Sequence, residues 1–241
     1  MSRQNKDHEI EQARKIAGKT EHYWNQATPA GRKGSLRRAQ WVIAAASLVP
    51  GRRVLEVGCG TGFFSEILAS TGAKLDAVDI SPELLEKARE RAPGVRFTQA
   101  DIEKLPFPDA SFDAVVGLRI LHHLDMGAAF PEIARVLKPG GCIAFCEPNM
   151  MNPQIMVQKN VPPIKRWLGD VPGETAFFRW GLARFLREKG FRNVVVRPFD
   201  FLHPNCPVPL IPAVERLGLA LERLPVMREI AGSLQISAEK P

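Results

Sequence analysis

The sequence predicts an α/β fold: a mostly parallel sheet with helices on both faces. Three observations predict it. Between residues 52 and 148, short apolar runs alternate without a break with helical segments. The runs "RRVLEVG" and "FDAVVGL" are apolar enough to be central strands, covered on both sides. The glycine turn "VGCGTG" follows the first of them directly, and parallel sheets bind ligands at the carboxyl ends of their strands.

Taken in order, residues 7–26 and 34–48 read as helices, the second on the spacing of Trp41, Val42, Ala45 and Leu48. "ATPAGRKG" between them reads as a loop. After the strand "RRVLEVG" comes the helix "FFSEILASTG", ended by Gly72, and then the strand "AKLDAVDI". In "SPELLEKARERA", Ser81 is suited to cap a helix and Pro82 to open it. "VRFTQAD" and "FDAVVGL" are the third and fourth strands. "GAAFPEIARVLKPGG" is a helix stopped by Pro139 and two glycines, and "CIAFCEP" is the fifth strand. Residues 150–172 show no clear period. "ETAFFRWGLARFLREKG" is an amphipathic helix, "FRNVVVRPFDF" a sixth strand, and residues 212–230 a helix with Val214, Leu217, Leu221 and Leu224 on one face. "GSLQISAEK" closes the chain as a strand. No repeat interrupts this order, so residues 1–241 read as one domain: N-terminal helices (1–50), a core (51–148) and a lid with closing strands (149–241).

Composition excludes several classes. At 45% hydrophobic and 24% charged residues, the chain is an ordinary globular protein. The polar N-terminus has no signal-peptide core, and no run of about 18 apolar residues exists to span a membrane. Cys59, Cys142, Cys146 and Cys206 form no C-x-x-C pair, which points to free thiols in a reducing cytoplasm and to no metal site. The net charge of +7 is uneven: residues 1–50 carry +5, residues 51–150 carry −3 and residues 151–241 carry +5. Basic flanks suit an anionic substrate, an anionic membrane surface or RNA, or simply a solvated surface.

The glycine turn could hold one of two nucleotides. Gly58 and Gly60 match the first two glycines of the dinucleotide pattern G-x-G-x-x-G, and Asp79 matches its later acid. The third glycine would fall at residue 63, which is Phe. Phe63 removes the close helix approach that meets a pyrophosphate. Glu56 precedes the turn by two residues, and a carboxylate there suits a cationic ligand better than a diphosphate.

These residues resemble a known family. "VLEVGCGTG" (54–62), "AVDIS" (77–81), "ADIEKLPFPDASFDAVV" (100–116), "LHHL" (121–124) and "EIARVLKPGG" (132–141) resemble, in order and spacing, the class I S-adenosylmethionine-dependent methyltransferases related to the ubiquinone and menaquinone methyltransferases. The resemblance covers about 100 residues. It implies a Rossmann-like sheet of seven strands, closed by an antiparallel pair at 191–201 and 232–239, with an N-terminal helical cover and a C-terminal lid. It also implies S-adenosyl-L-methionine as cofactor. Gly58, Gly60 and Gly62 would pass under its methionine part, close to Glu56. Asp79 would take the ribose hydroxyls, Ile80 the adenine face, Asp101 the adenine amino group and the Ile102 amide the ring. Leu118 would reach the sulfonium end through its backbone. A tyrosine of the cover helix, Tyr23, would reach the methionine end, and Arg37 or Arg38 would pair with its carboxylate.

Methyl transfer needs a dry, oriented site and often a base. His122 and His123 follow the fourth strand, where the methyl group should emerge, and His203 follows the sixth. Glu147 and Asn149, after the fifth, could orient a polar acceptor. The Met-rich stretch "NMMNPQIMVQKNVPPIKRW" and the helix at 212–230 read as a lid over a small, apolar or lipid-linked acceptor, methylated on oxygen or carbon. The chain is expected to be cytoplasmic, with peripheral membrane contact as one expectation. A protein or RNA methyltransferase remains open, although no stacking platform for RNA is evident. So do a catalytically silent cofactor-binding module and, less favoured because of Phe63, a nicotinamide oxidoreductase.

Overall fold

The computed structural model describes residues 26–167 and 175–241, together with Ile10, Glu11, Arg14, Thr20 and Trp24. The strands are β1 (Arg53–Val57), β2 (Lys74–Asp79), β3 (Arg96–Gln99), β4 (Phe112–Leu118), β5 (Leu137–Pro148), β6 (Arg192–Phe199) and β7 (Ser233–Glu239). The helices are α1 (Pro29–Ala45), α2 (Phe63–Ala69), α3 (Pro82–Arg91), α4 (Met126–Val136), α5 (Pro153–Asn160), α6 (Pro162–Trp167), α7 (Arg179–Glu188) and α8 (Ile211–Leu221). All seven strands pair into one sheet of order β3-β2-β1-β4-β5-β7-β6. The pairs from β3 through β5 are parallel, and β7 is antiparallel to both its neighbours. Two reversals restore direction, so β6 runs the same way as β1–β5. The segments that follow β1, β2, β4, β5 and β6 therefore all emerge on one edge.

Alternation along each strand makes two cores. Leu55, Val57, Val115, Ile143 and Phe145 pack on one face with Phe130 and Ile133 of α4. Val54, Ala77, Ala114, Val116 and Ala144 pack on the other with Leu68 of α2, Leu85 of α3 and Val42 of α1. Both faces are dry, as the double-sided apolar pattern requires.

Three boundaries differ from the sequence reading. Helix α1 begins at Pro29, inside the expected loop, because the Thr28 hydroxyl accepts from the Gly31 amide at 3.0 Å and Pro29 needs no donor partner there. Helix α4 stops at Val136, and β5 begins at once at Leu137. The strand starts early because Leu137 pairs with Phe112 of β4; further on, Gly140 donates to the Lys240 carbonyl (2.9 Å) and Lys240 to that of Gly141 (2.8 Å). The expected helix over 212–230 breaks after Leu221; a short 3-10 turn, Met227–Ile230, lies beyond it. The first expected helix (7–26) falls mostly outside the described residues.

Candidate functional site

The site is built where β1 turns into α2. The amides of Gly58 and Cys59 both donate to the Val78 carbonyl of β2, at 2.8 and 3.1 Å, which folds the turn against the neighbouring strand. Gly62 closes the turn as the N-cap of α2. Asp79, at the end of β2, orients it from the other side. One of its carboxylate oxygens accepts from the Gly60 amide (2.8 Å) and the other from the Ser81 amide (2.9 Å). The same residue's carbonyl accepts from Ala100, which brings the end of β3 and Asp101 alongside. Ser81 in turn caps α3, its hydroxyl accepting from Leu84. Asp101 accepts from the Glu103 amide at 2.9 Å and shapes the turn after β3.

Backbone approaches closely here because there is no side chain to prevent it. Gly60 has φ +53°, and a Cβ on it would stand 2.8 Å from the Trp24 ring; a Cβ on Gly58 (φ +69°) would stand 2.4 Å from Ile120. Trp24 and Ile120 thus lie directly over the turn. Trp24 comes from the segment before α1, and Arg14 of the same segment donates to Glu83 of α3 at 2.7 Å. Trp24 itself covers the turn at Gly60. Tyr23 lies outside the described residues.

The electrostatics select the ligand's sign. Glu56 is buried at the end of β1, with the Ser65 hydroxyl donating to it at 2.5 Å. Burial, with the nearby Asp79 carboxylate adding to it, pushes Glu56 up to about 7 despite the Ser65 bond. Two buried acids beside one glycine turn repel a diphosphate and attract a cation. The Thr61 hydroxyl, in the same turn, is buried with no hydrogen-bond partner in the protein. An unfilled polar group at this place is what a bound polar ligand would satisfy. The chemistry of the turn therefore fits a cationic cofactor with polar substituents.

The comparisons with known proteins agree with this geometry. The family model described as "Methyltransferase domain" matches residues 55–145. Demethylmenaquinone methyltransferase of Clavibacter sepedonicus is 41% identical over 114 residues, 44% of this chain and 46% of that protein. Malonyl-[acyl-carrier protein] O-methyltransferase of Serratia marcescens is 36% identical over 105 residues, 43% of this chain and 41% of that protein. The matched region spans less than half the length of these curated relatives. An S-adenosylmethionine-dependent methyltransferase structure from Thermotoga maritima superposes with a TM-score of 0.67 at 23% identity, covering 94% of this chain and 98% of that one. The likeness in fold thus extends well beyond residues 55–145.

Within the matched region, Glu56, Gly58, Gly60, Gly62 and Asp79 come together, with Asp101 one strand away. Ile80 is half-buried and its carbonyl accepts from Gln99 (3.1 Å). The side chains of Ile102 and Leu118 are buried in the two cores, so only their backbone can reach a ligand. Arg37, which the sequence assigns to the cofactor carboxylate, is engaged within the protein. Its guanidinium makes a bidentate pair with Glu222, at 2.7 and 2.6 Å, just past α8. The neighbouring Arg38 is likewise engaged, donating to Asp200 at 2.7 Å. Both cations tie α1 to the segment after β6.

The three histidines have distinct settings. His122 is buried, and its Nδ1 lies 2.6 Å from Glu147. The other Glu147 oxygen accepts from the amides of Ile120 and Leu121, both at 2.8 Å. Glu147 therefore holds the whole turn after β4. His123 is half-buried, its ring centroid 4.1 Å from that of His122. His203 is exposed on the same edge of the sheet, within 3.1 Å of Gln154 on α5. Asn149 donates to the carbonyls of Glu229 and Ala231, both at 2.8 Å, and so closes the lid rather than facing open space.

Sequence reasoning missed Arg119. It follows β4 directly, with an exposed side chain and a left-handed backbone (φ +58°) fixed by donation to the Cys146 carbonyl at 2.8 Å. Asp200, at the end of β6, is left-handed too (φ +73°). Each costs about 1–3 kcal/mol of strain, and such residues gather at functional sites. The only sequence signal was position: both stand at strand ends on the ligand edge.

Proposed function

We propose that the chain is an S-adenosylmethionine-dependent methyltransferase acting on oxygen or carbon of a small, apolar or lipid-linked acceptor. The observation that carries this reading is the pair of buried acids, Glu56 and Asp79, on either side of a glycine turn. When bound, the cofactor supplies a methyl group activated by a sulfonium charge. The chain's own residues bind, orient and exclude water. Asp79 and Asp101, at adjacent strand ends, take the adenosine part. Glu56 and the turn take the amino-acid part, under the Trp24 ring. Residues 1–50 and 149–241 act as cover and lid of the same unit.

On the acceptor side, Glu147 fixes His122, and His122 packs against His123. His123 is our candidate base, with His122 as its positioning residue and His203 at the acceptor's far end. Arg119 faces the same opening and would attract an acidic acceptor. The curated relatives are named for a quinone precursor and an acyl-carrier substrate, which supports a lipid-linked or carrier-linked acceptor here. No helix among the described residues is long and apolar enough to cross a membrane, and peripheral contact is the form of membrane association we propose.

Calorimetry with S-adenosylmethionine against NAD tests the cofactor: the first binds and the second does not. Labelled cofactor is then incubated with lipid, small-molecule, RNA and protein fractions. Label in RNA or protein alone overturns the acceptor class. His123→Ala should slow turnover and leave cofactor affinity unchanged; unaltered turnover removes its role as base.

A further inference from the structure

Helix α8 leaves an apolar row exposed while its carboxylates turn toward α1. Lys33 of α1 donates to Glu215 at 2.6 Å, and Arg37 holds Glu222, the residue that ends the helix. Gly218 sits against Phe201, where a Cβ would stand 3.1 Å away, and Ile211 is buried. The opposite face is apolar and exposed. Leu210, Ala213, Leu217, Ala220 and Leu224 recur at three- and four-residue intervals and form one outward row. Leu217 is 60% exposed, Leu224 52% and Val226, in the following turn, 82%. Surface helices normally turn such a row toward the core.

The charges beside the row are of one sign. Arg216 and Arg223, seven residues apart and both exposed, flank it on one side. The carboxylates of this stretch are engaged: Glu215 and Glu222 by α1, and Glu229, in the following turn, by Arg179 of α7. The outer face therefore offers leucines and cations, and no carboxylate of its own. The row also sits at the ligand edge, because β6 delivers the chain there. The turn after α8 is joined to the lid: Asn152 donates to the Ile230 carbonyl at 2.9 Å, and Met156 and Val157 of α5 are exposed alongside.

We propose that the outer face of α8 and the turn after it dock onto the surface of an anionic phospholipid bilayer. Apolar side chains enter the headgroup–acyl boundary while cations meet the phosphates, the arrangement of helices that lie in the membrane plane. Charge decides against a second copy of the chain. A two-fold contact through this row would press the arginine-flanked faces of two basic chains together. The inference deepens the proposed function, whose lipid-linked acceptor gives the docked edge its purpose, but it rests on exposed side chains that can be tested separately.

The test is flotation of the full chain with phosphatidylglycerol–phosphatidylcholine vesicles and with phosphatidylcholine vesicles alone. The chain should float with the mixed vesicles, less so as salt rises. The double variant Leu217→Asp, Leu224→Asp should bind at least about tenfold more weakly, since each exposed leucine loses its apolar contact. The double variant Arg216→Glu, Arg223→Glu should lose the preference for phosphatidylglycerol. Both variants should melt like the parent, because these side chains are exposed. Absence of binding by the parent, or equal binding by the leucine variant, overturns the proposal. A dimer that the leucine variant dissolves overturns it in favour of self-association. Calorimetry with S-adenosylmethionine on the same samples keeps the two readings apart. Vesicle binding without cofactor binding defeats the proposed function and spares this one.

Discussion

Glu56 makes cofactor binding a function of pH, with a sign fixed by its burial. Its carboxyl titrates at about 7 in the folded chain, with burial as the largest cause. A cation bound beside it favours the ionised form. With a value of about 7, roughly 9% is ionised at pH 6 and roughly 76% at pH 7.5. If only the ionised form binds fully, affinity rises about eightfold over that interval. An α-amino group with a pKa of about 7.7–8.0 is already partly neutral at pH 7.5, which trims the rise to about five- to sixfold. At pH 7, about half a proton should leave the protein for each cofactor bound. Titration calorimetry in buffers of different ionisation enthalpy measures that release directly. Glu56→Gln should bind more weakly at pH 7.5 and show neither the slope nor the proton release. A flat affinity between pH 6 and 7.5, or a slope that survives in Glu56→Gln, would refute the argument.

The same group shapes stability in the opposite direction. Its folded value is raised above the ordinary 4.5, so the folded chain holds a proton that the unfolded chain has lost. Stability contributed by this group is full below about pH 4.5 and declines as pH rises to about 7. The loss is at most about 1.4 kcal/mol per pH unit, and roughly 3 kcal/mol in all. Cofactor and fold thus compete over one proton, and bound cofactor should protect the chain more at pH 7.5 than at pH 6.

Further predictions concern the turn, the histidine mount and Arg37. Gly60→Ala meets both a left-handed backbone and the Trp24 ring, so it should lower cofactor affinity at least about tenfold and cost about 1–2 kcal/mol of stability, read by calorimetry and urea unfolding. Glu147→Ala strips a buried acceptor from two amides and from His122, and should cost about 3–5 kcal/mol in urea unfolding; a loss under about 1 kcal/mol would show that the turn does not depend on it. Arg37→Ala should leave cofactor affinity within about twofold, because Arg37 is spent on Glu222; a large loss would return it to the cofactor carboxylate.

The parts of the fold legible in the sequence were those that local chemistry decides. Strand alternation, Ser81 before Pro82, and a glycine turn after an apolar run each need only neighbouring residues. The antiparallel closing pair was legible only through the family resemblance. What the sequence hid were contacts between distant segments. Nothing near Leu137 announces that it will pair with Phe112 and extend the strand into the expected helix, or that Lys240 will pair with the glycines at 140 and 141. Nothing near His122 announces Glu147.

Arg37 shows why this matters most at the site. A cation on a cover helix looks like a partner for an anionic ligand group, and the sequence offers no rival. The rival is Glu222, 185 residues away, brought alongside because β6 runs with the parallel strands and returns the chain to the ligand edge. The same return brings Asp200 to Arg38 and Glu215 to Lys33. Three ion pairs thus bind α1 to the segment 200–222. The exposed Lys33–Glu215 pair is weak, whereas Arg38–Asp200 is buried and strongly resists separation. The buried Arg38–Asp200 pair carries most of the joint between α1 and this segment. With Glu215 and Glu222 turned toward α1, the leucines of α8 face out.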